Sequence, residues 1–297
     1  MNKMRPAVAL LITLAVIASM LALMGVMFGY LGEAKHQAEI KSSVLQANLL
    51  RDDIGTLLKQ ILGKKPSKSR MQLLYKTPLA VSAKNGEFSM AISCKPIANR
   101  VNMLWIGMGN KAKYQKKAAL AQNLFEMLTG SVNLRDPELL KDKIIAAIRH
   151  KNSTKFGQPR RLNEKKGIIT FERFKQILDD YRFEVDDPNV YKITWDRYFT
   201  FGIPDGGLDG DFVTPELLAF LYDVDINVVK ENLKEGDLDG SLEEMGGFSK
   251  ARYKWLFTKN VVAKAECSVT YSFKSGGYNF KFDYLDGRTG NFEFSDK

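Results

Sequence analysis

Residues 7–31 read AVALLITLAVIASMLALMGVMFGYL, 25 positions from Ala7 to Leu31 without one charged side chain. As a helix the run extends about 37 Å at ~1.5 Å per residue, enough to cross a hydrocarbon core of ~30 Å. Lys3 and Arg5 precede it and Glu33 follows it, so the positive-inside bias puts the amino terminus in the cytoplasm and the chain after about residue 32 on the far side of the membrane. No second run of that length and purity occurs in the 297 residues. The competing reading is a cleaved secretory signal, because Gly32-Glu33-Ala34 offers small residues near a cut site. An apolar run this long exceeds the ~7–15 residues usual for a signal, which favours a retained anchor.

Beyond the span the apolar positions become one-sided. Ile40, Ala47, Ile54 and Ile61 recur every seven residues, with Val44 and Leu58 on the same side and Arg51 interrupting, so the helix is expected to continue out of the membrane as an amphipathic half. Gly63, followed by Lys64-Lys65-Pro66-Ser67-Lys68-Ser69, marks its end, since Gly and Pro punctuate and the charges favour solvent.

Residues 63–112 read as a linker and first strands. Asn85-Gly86 is a turn signal, Phe88, Met90, Ile92 and Cys94 alternate, and Val101, Met103 and Trp105 continue at period two. Residues 113–258 change to a helical period: Ala118, Ala121, Leu124, Phe125 and Leu128 share a face, and Asp136-Pro137, Thr170 and Thr214-Pro215-Glu216 are capped helix starts. Residues 259–297 alternate again, through Cys267, Val269, Tyr271 and Phe273, then Tyr278, Phe280, Phe282 and Tyr284, with Gly276-Gly277 and Asp286-Gly287 as turns before Phe292 and Phe294. The order predicts an α+β fold in which a long amino-terminal helix, residues 8–62, packs on a small antiparallel sheet interrupted by a large, mainly helical insertion.

Composition narrows the function classes. With 45% hydrophobic and 26% charged residues the chain can bury a core, which argues against wholesale disorder; two Cys are too few for a disulfide-dense scaffold, and two His limit His-based metal or proton-relay chemistry. The net charge of +10 hints at an acidic partner until it is located. Between Ile203 and Gly247 twelve acids stand against Lys230 and Lys234, a balance of −10, which leaves +20 for the rest of the chain. Residues 59–76 and 95–117 each carry six Lys or Arg and no acid, and residues 149–173 carry eight against Glu164 and Glu172. Such stretches admit contact with nucleic acid or anionic head groups, though the acidic segment after Thr214-Pro215-Glu216-Leu217-Leu218 argues against a phosphate-gripping helix pair there.

The leader Met1-Asn2-Lys3-Met4-Arg5-Pro6-Ala7, followed by Val8-Ala9-Leu10-Leu11-Ile12-Thr13-Leu14, resembles a prepilin leader and the start of a pilin helix. The resemblance implies cleavage by a prepilin peptidase between Ala7 and Val8, on the cytoplasmic side, leaving the helix as an anchor. Most pilins have Gly before the cut and Glu at the fifth mature residue, whereas this chain has Ala7 and Ile12. Loss of that Glu marks the K-type minor pseudopilin of type II secretion, the subunit that caps the pseudopilus tip. Arg100-Val101-Asn102-Met103-Leu104-Trp105 and Asp211-Phe212-Val213-Thr214-Pro215-Glu216-Leu217-Leu218 resemble, more weakly, two further segments of that family. A structural rather than enzymatic role follows from the resemblance, with other minor pseudopilins, the inner-membrane assembly platform, the peptidase and membrane lipid as partners, and with the globular part in the periplasm. A DNA-uptake minor pilin and a generic single-pass periplasmic protein are the alternatives.

Calcium occurs in some members of the resembled family, and the acidic segment holds candidate ligands. Asp205, Asp209, Asp211 and Glu216, with Gly210 at the sixth position, fit part of the twelve-residue calcium-loop template, although Gly207 occupies the third position and Pro204 disfavours a preceding helix. Asp237, Asp239 and Glu243 form a second cluster. The same Asp-Gly pairs are also ordinary turns on a solvated acidic surface. Cys94 in an early strand and Cys267 in a late one would form a bridge closing the insertion if those strands are neighbours, and are otherwise two buried thiols. His36 and His150 show no ligand spacing, and no nucleophile or phosphate-loop motif is present.

Overall fold

The computed structural model describes residues 5–63, 66–82, 88–149, 168, 170–202, 206–258, 261–273 and 276–296. In chain order the elements are α1 (Arg5–Leu62), α2 (Lys68–Lys76), β1 (Leu79–Ser82), β2 (Phe88–Pro96), β3 (Val101–Asn102), α3 (Gln115–Ser131), α4 (Pro137–Arg149), α5 (Phe171–Val185), α6 (Trp195–Tyr198), β4 (Phe199–Thr200), α7 (Pro215–Tyr222), α8 (Ile226–Asn232), α9 (Leu238–Glu244), β5 (Lys264–Phe273), β6 (Gly276–Leu285) and β7 (Arg288–Asp296). This is the α+β arrangement read from the pattern: a 58-residue helix, a five-stranded antiparallel sheet in the order β1-β2-β5-β6-β7, and a mainly helical insertion between β2 and β5.

The two halves of α1 have different surroundings. Its large apolar side chains from Leu10 to Leu31 are between 48% and 75% exposed, an apolar surface far larger than soluble monomers leave in water. It is the one helix among the described residues long and apolar enough to cross a membrane. The second half buries Ala47, Ile54, Leu58 and Leu62 against the sheet residues Met90, Ile92, Val269, Tyr271, Phe280 and Phe282. Successive side chains of a strand face opposite ways, which is why every second residue of β2, β5 and β6 enters this layer. Tyr271 donates its hydroxyl to the Ser43 carbonyl at 2.8 Å, and Gly55 lets α1 come close to β7, where a Cβ would stand 2.5 Å from Thr289 Cγ2. Gly63 ends the helix at φ +72°, with its N–H on the Lys59 carbonyl at 3.0 Å.

These contacts orient the molecule. Tyr271 meets α1 near its apolar half, whereas the β6–β7 turn at Asp286-Gly287 lies beside Lys59 near the other end. Both residues of that turn have positive φ, as a tight hairpin of this hand requires. The insertion leaves the sheet after Pro96, which pairs with Ala265, and re-enters at Lys264, which pairs with Leu285. It therefore sits at the end of the sheet remote from the apolar half of α1.

The insertion has its own core. Trp195, 2% exposed, stands among Phe125, Phe174 and Phe199 at ring-centroid distances of 5.8, 5.3 and 6.1 Å and donates its indole N–H to the Val190 carbonyl at 3.1 Å. Asp136, Thr170 and Thr214 cap α4, α5 and α7 as expected, accepting from the N–H groups of Leu139, Arg173 and Leu217.

Several local expectations are corrected. Of the extended run Val101 to Trp105 only Val101 and Asn102 form a strand, paired in parallel with β4; Met103–Met108 coil into a 3-10 turn that buries Met103, Leu104, Trp105 and Ile106 in the insertion core. Two-fold alternation misleads here because both sides of the segment are covered. Gly276 and Gly277 are strand residues, opposite Phe273 and Ser272, and not the turn itself. The solvated linker after Gly63 contains a helix, α2, whose Met71 and Leu74 are buried. The Asn85-Gly86 turn signal lies outside the described residues.

Asp187 shows how the insertion is tied internally. It is 1% exposed, and its carboxylate accepts the N–H groups of Arg135 at 2.9 Å and Asn189 at 3.0 Å. Burial pushes its pKa up, but those hydrogen bonds and the Arg135 charge outweigh burial and hold it below the usual carboxylate value. Asp187→Ala leaves two N–H groups without their acceptor and is expected to cost about 1–3 kcal/mol at neutral pH. Because the folded pKa is depressed, that stabilisation is present above the unfolded-state pKa and is lost as pH falls through the folded value. Urea midpoints of the two proteins should therefore converge in acid; a constant gap would contradict the assignment.

Candidate functional site

The candidate residues fall at the start of α1 and along the seam between the sheet and the insertion. Ala7 and Val8 lie in the first turns of α1, which begins at Arg5. Cys94 and Cys267 face each other across β2 and β5, their Cα atoms 4.0 Å apart, and the two sulfurs are bonded. Strand pairing brings residues 173 positions apart together at the base of the insertion.

Six of the seven acidic candidates fall among the described residues, and Asp205 lies outside them. Asp209, 5% exposed, accepts the N–H groups of Asp211 at 3.1 Å and Val262 at 3.4 Å, while its own N–H meets the Ala98 carbonyl at 2.6 Å. Burial pushes its carboxyl above the usual range. Asp211 pairs with Lys68 at 3.1 Å, and Glu216 in the first turn of α7 with Arg197 at 3.7 Å. Asp237 caps α9 through the Gly240 N–H at 3.1 Å; Asp239 and Glu243 lie exposed on that helix. A calcium ion takes six to eight oxygens at ~2.3–2.6 Å. Among the described residues no three His, Cys, Asp or Glu side chains are placed to hold a metal. Asp209 and Asp237 thus turn their carboxylates onto neighbouring N–H groups, while Asp211 and Glu216 meet cations of the chain.

Helix α2 brackets the two lobes. Its Tyr75 ring lies edge-on to Phe212 at 4.9 Å and its hydroxyl donates to the Lys264 carbonyl at 3.2 Å. Lys76 meets Glu235 at 2.7 Å, and Gly236 packs against Lys68 and Gln72 with its N–H on the Asp211 carbonyl at 2.9 Å. The basic stretch 59–76 thus neutralises part of the acidic segment inside the same molecule. Sequence reading assigned Lys68 to solvent and Lys76 to a basic stretch open to an acidic partner; the available signal for the helix is Ser67, whose hydroxyl caps α2, followed by Met71 and Leu74 three apart.

Clefts flank the bracket. One of about 420 Å³ is lined by Tyr75, Lys76, Asn99, Phe212 and Lys230. Another of about 280 Å³, on the far side of the sheet, is lined by Arg100, Asp196, Glu266, Lys281 and Glu293, and burial lowers the pKa of Arg100. Both are rimmed by charges of both signs. His36 is exposed on α1, and His150 lies outside the described residues.

No protein-family model matches the chain, and no curated protein matches it in sequence. Among solved structures, the fold is similar to that of a chain of the GspK-GspI-GspJ complex from the type 2 secretion system of enterotoxigenic Escherichia coli, with a TM-score of 0.52 and 9% identity, covering 88% of this chain and 100% of that one.

Proposed function

We propose that the chain is a GspK-like minor pseudopilin that caps a type II secretion pseudopilus. The observation that carries this reading is the membrane-distal insertion on an otherwise pilin-like body, an arrangement shared over the full length of the neighbour's chain. The apolar half of α1 holds the precursor in the inner membrane and, once the leader is gone, packs among the helices of other subunits. The broad insertion leaves no room for a further subunit to stack above it. Ile12 in place of the usual Glu fits this position, because a terminal subunit has none above it to register against.

GspI-like and GspJ-like pseudopilins are the proposed partners, with the globular part in the periplasm, where the Cys94–Cys267 bridge would be maintained. Co-expression of the full chain with a prepilin peptidase, followed by intact-mass measurement and affinity purification with the two other minor subunits, tests the proposal. The expected product lacks residues 1–7 and carries both partners. An uncut chain, or one cut after Ala34, would overturn it.

A further inference from the structure

The loop 206–211 is part of the calcium-like pattern that runs from Asp205 to Glu216, and four lysines from distant parts of the chain lie around it. Lys68 bridges to Asp211 at 3.1 Å, and Lys117 donates to the Gly206 carbonyl at 2.5 Å. The Lys264 ammonium lies 3.1 Å from where a Cβ on Gly206 would stand, and the Lys250 ammonium 3.2 Å from the same point on Gly210. A carbonyl and a carboxylate that could serve a hard cation are therefore already engaged by ammonium groups. Asp209, the third donor, is turned inward onto the N–H groups of Asp211 and Val262. A divalent ion placed there would have to displace these hydrogen bonds and sit beside several positive charges, each repelling it through a partly desolvated path.

We infer that this chain holds the loop 206–211 with its own lysines, so that docking of the insertion on the sheet needs no divalent cation there. The four lysines come from α2, α3, the turn before Leu256 and the start of β5, and one loop thereby joins both lobes. The inference needs only the fold and stands or falls separately from the secretion reading.

Thermal unfolding of the full-length protein in detergent, with millimolar calcium or with EGTA, tests it, alongside calorimetric titration of calcium. The unfolding temperature is expected to stay unchanged in both solutions, with no binding heat. A saturated calcium site would raise it by several degrees, because a ligand bound only to the folded state stabilises by mass action. A calcium-induced rise, or a fall in EGTA, would overturn the inference. Lys68→Gln together with Lys250→Gln should lower the unfolding temperature, whereas Lys68→Arg, which keeps the cation, should not. An unchanged temperature in the Gln pair would equally refute it, and the wild-type titration decides the matter even if that pair does not fold.

Discussion

Trp195→Ala is expected to lower the stability of the insertion by about 3–5 kcal/mol, the usual loss when a fully enclosed large aromatic is removed. Trp195 contacts Phe125, Phe174 and Phe199, which come from three different elements, so no single neighbour can move in to fill the space. Its N–H bond to the Val190 carbonyl is lost as well. The buried side chains form two separate groups, one in the insertion and one between α1 and the sheet, so the damage should stay local. Trp105 and Trp255 remain in the variant, and both lie in the insertion. Their fluorescence should therefore lose its native signal at a lower urea concentration, while the ellipticity of α1 and the sheet keeps its midpoint. Equal shifts in both signals would mean that the two bodies unfold as one.

The second large effect is expected from Cys94→Ala combined with Cys267→Ala. The two cysteines are 173 residues apart, and cross-linking so long a segment removes much of the unfolded chain's freedom; the loop-entropy relation gives about 5 kcal/mol, with measured bridges more often near 2–4 kcal/mol. Both side chains are within the sheet core, at 1% and 0% exposure, so alanine also gives up some packing. The double variant should unfold at clearly lower urea than the oxidised protein, and the reduced wild type should behave like the variant. If reduction leaves the midpoint where it was, the bridge has no such role.

The extent to which function could be read beforehand follows from how local each signal is. The candidate anchor needs only composition, since a run of 25 uncharged residues is long enough to cross a bilayer. Helix starts at Asp136, Thr170 and Thr214 need only a capping oxygen and its next turn, and were legible for that reason. Met103 to Ile106 were not, because alternation cannot distinguish a strand covered on one side from a coiled segment covered on both. Nor was α2, whose nine residues are mostly polar and whose helicity depends on Met71 and Leu74 finding the sheet layer.

Charge shows the same division. Counting along the chain separates a −10 segment from a basic remainder and suggests either an ion or an acidic partner. The fold instead brings Lys68, Lys76, Lys117, Lys250 and Lys264 to that segment, from positions with no regular spacing between them. The sequence by itself determined the long apolar run, the long helix and the order of strands, insertion and strands, because each depends on interactions between residues a few positions apart. Only the tertiary structure decided that Cys94 meets Cys267 and which lysines answer which carboxylates, because those pairings arise from sheet register and lobe docking across more than a hundred residues.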